Sequence, residues 1–208
     1  MSEKERRIKY HLPKIVDYET KKQEIIEKAK EVFAKRGYYN TNLAHISSRC
    51  GMGRTTIYQY FKNKDEIFYY SVEDILIDLQ EKVEAIIEND NLTFIEKLKK
   101  LVFELTSEYE QNYIFVLLAE IWIILKRENN ELLSRLRDYT EGLKNSINKL
   151  IVQGIEAKEI KSIDSEGMAD TIYSFIESFT VQSAFNNDIN MQKKLNSVNL
   201  LIDGLRAH

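Results

Sequence analysis

The amino-acid sequence predicts an all-α fold: an N-terminal three-helix helix-turn-helix unit followed by a larger helical domain. Three observations lead there. Apolar residues recur at three- and four-residue spacing along most of the chain. No segment alternates apolar and polar residues long enough to suggest a strand. One proline and seven glycines among 208 residues leave little to break helices.

Residues 1–18 read as a polar, basic arm containing Pro13. A first helix is expected from Thr20, because Thr20 and Gln23 stand at capping-box spacing. Ile25, Ala29, Val32 and Phe33 then share one face, and Gly37 ends the helix. Thr41 or Asn42 can cap a second helix with Leu43 and Ile46 inward. The turn Gly51-Met52-Gly53 leads into a third helix from about Arg54 to Phe61. Asn63 and Glu66 repeat the capping spacing for a long fourth helix, whose stripe of Phe68, Val72, Ile75, Leu76, Leu79, Val83, Ile86 and Ile87 runs to about Glu88.

Asn89-Asp90-Asn91 breaks the pattern. A helix from Thr93 to about Glu110 follows, with Leu98, Leu101, Val102 and Leu105 inward. Tyr113 to Lys126 is apolar nearly all round, as a central buried helix would be. Glu131 to about Ala157 is another long helix. Asp164 opens the next, with Met168, Ile172, Phe175, Ile176 and Phe179 in register. The last shows Leu195, Val198, Ile202 and Leu205. The organisation expected is an arm at 1–18, a helix-turn-helix domain at 19–64 and a second domain at 65–208.

Composition narrows the class. With 43% hydrophobic residues a substantial core is possible. Cys50 is the single cysteine, so no internal disulfide can form and a reducing compartment fits. Met1 to Arg7 is too charged for a signal peptide. The longest apolar run, Ile114 to Leu125, is interrupted by Glu120 and falls short of the roughly 18 residues of a membrane span. A cytoplasmic protein is therefore expected. The net charge of −3 conceals an asymmetry: residues 1–64 hold 15 Lys/Arg against 7 Asp/Glu, and the remainder 15 against 26. A basic front on an acidic body suggests an anionic polymer bound by one end.

The glycine turn between two short amphipathic segments is the layout of a helix-turn-helix whose second helix reads DNA. Such helices need short or planar polar side chains. Arginine can donate two hydrogen bonds to guanine, and a threonine methyl can meet that of thymine. Arg54, Thr55 and Thr56 suit that task, Tyr58 and Tyr60 can place hydroxyls on phosphate, and Thr41, Gln59 and Lys64 complete the candidate set. The plainer alternative is an ordinary amphipathic helix with half-buried tyrosines. His45 has no partner at metal-ligand spacing. No carboxylate pairs with a histidine or a glycine-rich loop, so neither catalysis nor a cofactor or metal is expected.

The second domain is rich in aromatic residues. Tyr69, Phe103, Tyr113, Trp122 and Phe175 could line a mostly apolar cavity, or simply fill the core. Glu120, a carboxylate in an apolar helix, needs a partner there: a cationic ligand, a basic side chain or solvent. The stripes Met168, Ile172, Phe175, Phe179, Val198 and Ile202 on the last two helices could form a four-helix dimer interface.

Together, helix one, Gly37-Tyr38, Ile46, Gly51, Ile57-Tyr58, Tyr60-Phe61 and Lys64 resemble the TetR family of bacterial transcriptional regulators, over residues 22–67. A weaker likeness appears at Gln153-Gly154 to Glu159 and at Asp164. The resemblance implies an all-helical homodimer, with an N-terminal DNA-binding domain and a C-terminal domain for dimerisation and effector binding. By position, Arg54, Thr55, Thr56, Tyr58 and Gln59 lie where family members contact DNA, and Tyr60 and Lys64 where they hold phosphate. Gly53 departs from a common serine, which weakens the cap of the third helix. The expected function is a repressor released from a double-stranded operator by a small, largely apolar effector. The alternative is a helical ligand carrier or enzyme with an incidental helix-turn-helix.

Overall fold

A computed structural model describes residues 18–107, 131–185 and 190–207. These form α1 (Tyr18–Arg36), α2 (Leu43–Cys50), α3 (Arg54–Ile57), α4 (Lys64–Ile87), α5 (Phe94–Ser107), α6 (Glu131–Glu156), α7 (Ser165–Phe185) and α8 (Met191–Asp203). Among the described residues the only β contact is an isolated bridge between Ile160 and Arg206.

The head is α1 to α3 closed by the start of α4. Ile25, Ala29 and Phe33 of α1, Ile46 of α2, and Ile57 and Phe61 bury completely or nearly so. Phe68 meets Phe33 edge-on, with centroids 4.9 Å apart. The first turns of α4 thus belong to the core of the head, while Leu76, Leu79 and Val83 further along serve the body. In the body, α6 packs on α4, α5 and α7, and α5 also meets α7 and α8.

Local signals explain the boundaries. Asn42 caps α2 by accepting from the His45 amide at 3.1 Å, and the Nδ1 of His45 accepts from the Asn42 amide at 3.3 Å. Gly51 ends α2 at φ 67°, the left-handed region open to glycine. Asn63 accepts from the Glu66 amide at 2.8 Å, but the Glu66 carboxylate reaches the amide of Lys62, so the expected box is only half made. Thr93 and Glu96 do form a reciprocal box at the start of α5.

Three expectations change, and a fourth falls outside the described residues. Helix α1 begins at Tyr18, two residues before Thr20. The third helix is α-helical only to Ile57, because the amides of Gln59 and Tyr60 turn to carbonyls three residues back, Thr56 and Ile57. Tyr113 to Lys126, with the candidates Tyr113, Glu120 and Trp122, lies outside the described residues. Ile172, Phe179, Val198 and Ile202 are each at most 5% exposed within the single chain, so they fill its own core and are not presented to a partner. Met168 and Phe175 pack partly buried against that core.

Gly154 marks the closest approach in the body. A Cβ there would lie 2.6 Å from the Cδ1 of Ile160 and 3.1 Å from the Cβ of Phe94. The turn after α6 then folds onto the chain end. The Glu159 carboxylate accepts from the Phe94 amide at 2.8 Å, and the Lys161 amide donates to the Leu205 carbonyl at 2.9 Å.

Candidate nucleic-acid interface

Helix α3 has four residues and little of its own to hold it. Its N-cap, Gly53, makes no side-chain cap bond. Isolated helices this short do not persist in water, so the segment is kept in place by packing. Ile57 and Phe61 supply that packing from below, both essentially inaccessible. Arg54, Thr55, Tyr58 and Gln59 are left exposed on the other side, and Thr56 is half-buried. Polar and planar groups thus share one surface above an apolar floor, the arrangement that base-edge contact requires.

The other candidates are placed differently. Thr41 is 3% exposed, and its hydroxyl donates to the Gly37 carbonyl at 2.8 Å, so it braces the α1–α2 turn and does not present itself to DNA. The Lys64 ammonium donates to the Tyr38 carbonyl at 2.9 Å and lies 4.0 Å from the Tyr38 ring centroid. Tyr38 in turn donates to Asp65 at 2.6 Å. Lys64 is therefore drawn into a local cluster at the start of α4. Tyr60 is half-buried and stacks on Tyr18, with ring centroids 4.9 Å apart and planes 24° from parallel. Two residues that sequence reasoning passed over stand on this end of the molecule. Tyr39 is 72% exposed beside Tyr38, and Tyr18 touches the end of the reading segment. Tyr39 had a sequence signal, an aromatic residue in a polar turn with no apolar partner at helical spacing; Tyr18 had none.

Cys50 closes α2 partly buried, and burial pushes its thiol up, which keeps it protonated near neutral pH. Nearby, Arg49 pairs with Glu31 and ties α2 to α1. Among the described residues, no group of three or more His, Cys, Asp or Glu is placed to hold a metal.

The body holds a cavity of about 380 Å³ between α4 and α6. Its walls include Leu76, Val83 and Leu143, all buried, and its rim carries Glu73, Glu84, Arg135 and Asp138. Arg135 pairs with Glu73 across the two helices. Tyr69 lies under the Arg135 guanidinium, 5.9 Å from its ring centroid. Phe103 is 48% exposed on α5 and does not line the cavity, and neither does Phe175. The ring of Tyr139 forms part of the wall, but its hydroxyl is buried without a hydrogen-bond partner among the described residues. Burial, with Tyr173 nearby, pushes that phenol up and keeps it neutral. Burial likewise raises the hydroxyl of Tyr173, to about 12.

Comparison with known proteins agrees with this geometry. Residues 25–70 match the family model for bacterial regulatory proteins of the TetR family. The fatty acid metabolism regulator protein of Bacillus subtilis is 28% identical over 81% of this chain and 85% of its own. The biofilm operon icaADBC negative transcriptional regulator IcaR of Staphylococcus aureus is 24% identical over 79% of this chain and 85% of its own. The crystal structure of FadR from Bacillus subtilis in complex with stearoyl-CoA superposes with a TM-score of 0.65 at 27% identity, covering 86% of this chain and 96% of that one. The chain is an all-helical DNA-binding transcriptional regulator, similar over residues 25–70 to the TetR family and over most of its length to these regulators. Among its described residues no helix is long and apolar enough to cross a membrane.

Proposed function

We propose that this regulator is a homodimeric repressor that reads a near-palindromic operator through Arg54, Thr55, Tyr58 and Gln59 and is released by a ligand with an apolar chain. The observation that carries the DNA contacts is the exposed polar surface of residues 54–59 above the buried Ile57 and Phe61. Two-fold symmetry of the protein demands matching half-sites one DNA turn apart or more. Residues 65–208 serve as the regulatory domain, although the first turns of α4 are shared with the head.

The cavity between α4 and α6 supports the effector reading. Leu76, Val83 and Leu143 offer apolar surface, and the charged rim suits a ligand with a polar end. Relatives concerned with fatty acid metabolism, one of them solved with stearoyl-CoA, favour a long acyl chain as that apolar part. The ligand acts only through different affinities for the DNA-bound and released states.

The experiment is a titration of purified protein onto DNA from its own upstream region, against random DNA of equal length, with stearoyl-CoA or coenzyme A added. Preference for the upstream DNA and its loss with stearoyl-CoA alone are expected. Equal affinity for both DNAs would overturn the operator reading. Retained preference at saturating stearoyl-CoA would overturn the acyl-chain effector and leave the operator reading standing.

A further inference from the structure

We propose that Tyr18 is a positioning residue for DNA recognition, a clamp that fixes the C-terminal end of the reading segment against the start of α1. The proposal rests on the reading of residues 54–59 as the base-contacting surface. Tyr18 makes two contacts with that segment. Its ring stacks on Tyr60 at 4.9 Å, and its hydroxyl donates to the Gln59 carbonyl at 3.3 Å. Both cross 41 residues or more of sequence, so they belong to tertiary structure and are no by-product of a local turn.

The clamp answers a specific weakness. Four helical residues with an uncapped N-terminus cannot define their own orientation. Ile57 and Phe61 anchor the segment from beneath, and Gln59 and Tyr60 between them are not fully buried, so the inner anchors leave their outer side unbraced. Gln59 and Tyr60 sit in that exit, where the amide bonding has already changed from α to three-residue spacing. Stacking and a hydrogen bond applied there limit the tilt from the outer side. Tyr18 is itself held, because α1 is seated on the same end of the head. Lys22, one turn further on, places its ammonium 3.8 Å from the Tyr70 ring centroid and 5.7 Å from that of Phe61. A side chain 48% exposed contributes little to the core, so orientation is what its contacts with Gln59 and Tyr60 control.

The test compares the full-length protein with Tyr18→Ala, Tyr18→Phe, Tyr60→Ala, the Tyr18→Ala/Tyr60→Ala double variant and Arg54→Ala. Operator and random DNA are titrated at several salt concentrations, and thermal unfolding is followed alongside. Tyr18→Ala should weaken operator binding by about tenfold, the factor matching the upper range of an aromatic pair. Random-DNA affinity, the slope of log affinity against log salt, and the unfolding midpoint should stay close to wild type, since the substitution removes no charge that faces phosphate and little of the core. Tyr18→Phe, which keeps the stack, should recover most of the operator affinity. The double variant should cost clearly less than the sum of the two single losses, because the Tyr18 stack acts through Tyr60. Additive losses, an equal fall on random DNA, or an unchanged Tyr18→Ala titration would overturn the clamp. If Arg54→Ala reduces operator preference while Tyr18→Ala does not, the clamp alone fails. If neither does, the reading surface itself is misassigned.

Discussion

The Lys30 ammonium of α1 lies 2.5 Å from the Asp74 carboxylate of α4, and this pair binds the head to the helix that forms the cavity wall. Gln23 adds a second donor to Asp74 at 2.6 Å. The adjacent residue, Glu73, pairs instead with Arg135 on α6. Two consecutive carboxylates therefore connect the reading head and the cavity rim through one helix.

Asp74→Asn should lower stability by about 1–2 kcal/mol at neutral pH, less than for a fully buried pair because both side chains keep some solvent contact. Burial would push the Asp74 carboxyl up, but the bonds from Lys30 and Gln23 outweigh it and hold the group below the usual carboxylate range. Stability from a depressed carboxylate is present above its unfolded value, near pH 4, and is lost as pH falls through the folded value. The Lys30 ammonium is raised instead: burial would lower it, and Asp74 and Glu27 outweigh that. Its contribution is present below its unfolded value, roughly 10.4, and is lost only as pH rises through the folded one. Chemical denaturation of both proteins from pH 3 to 8 should show the gap closing only at the acid end. A gap independent of pH would mean that the pair contributes nothing through charge.

Gly154→Ala should destabilise the body by about 1–3 kcal/mol through overpacking, partly offset by the better helix propensity of alanine. The new Cβ would strike Ile160, which is 2% exposed and has little space to retreat. Adding Ile160→Val removes the nearest carbon and should restore much of the loss, since neighbouring sites are not additive. Equal unfolding midpoints for the wild type and the single variant would show that the contact yields freely.

How much of this was legible beforehand varies with the kind of signal. Asn42, Gly51 and Asn63 act locally, through their own backbone and the next turn, and the residues alone announced them. The faces of α1, α4 and α5 were legible too, because period 3.6 is a property of the segment itself. Burial of Ile172 and Val198 against their own chain was not, because an apolar stripe does not say whether its cover is the same chain or another. Thr41 and Lys64 carried DNA-contact chemistry but were claimed by Gly37 and Tyr38, partners 4 and 26 residues away. The Tyr18–Tyr60 stack depends on how α1 crosses the head, which no spacing in the sequence records.

Burial of those stripes in their own core directs the proposed dimer interface to other side chains. With Ile172 and Val198 turned inward, the exposed large apolar side chains among the described residues of α7 and α8 are Val181, Leu200 and Leu201, which are 44%, 73% and 58% exposed. A Leu200→Glu/Leu201→Glu variant should sediment as a folded monomer at micromolar concentration, with its helical content unchanged. Ile172→Glu should unfold the body, because a lone carboxylate would enter a site 2% exposed. A Leu200→Glu/Leu201→Glu variant that remains dimeric would place the interface elsewhere.

Tyr18, the first described residue, lies beside Tyr60 at the exit of the reading segment, and a basic stretch precedes it in the sequence. Lys4, Arg6, Arg7, Lys9 and Lys14 precede that point, with no apolar stripe among residues 1–16 to bind them to the core. Basic arms entering from such a position can follow the phosphate backbone or a minor groove. Deleting residues 1–16 leaves Tyr18 and its contacts in place. Operator affinity should fall, and the slope of log affinity against log salt should flatten by roughly 0.9 for each phosphate that the arm no longer neutralises. This separates the arm from the clamp, because Tyr18→Ala should change affinity without changing the slope. A deletion variant with the wild-type slope would show that the arm does not touch DNA.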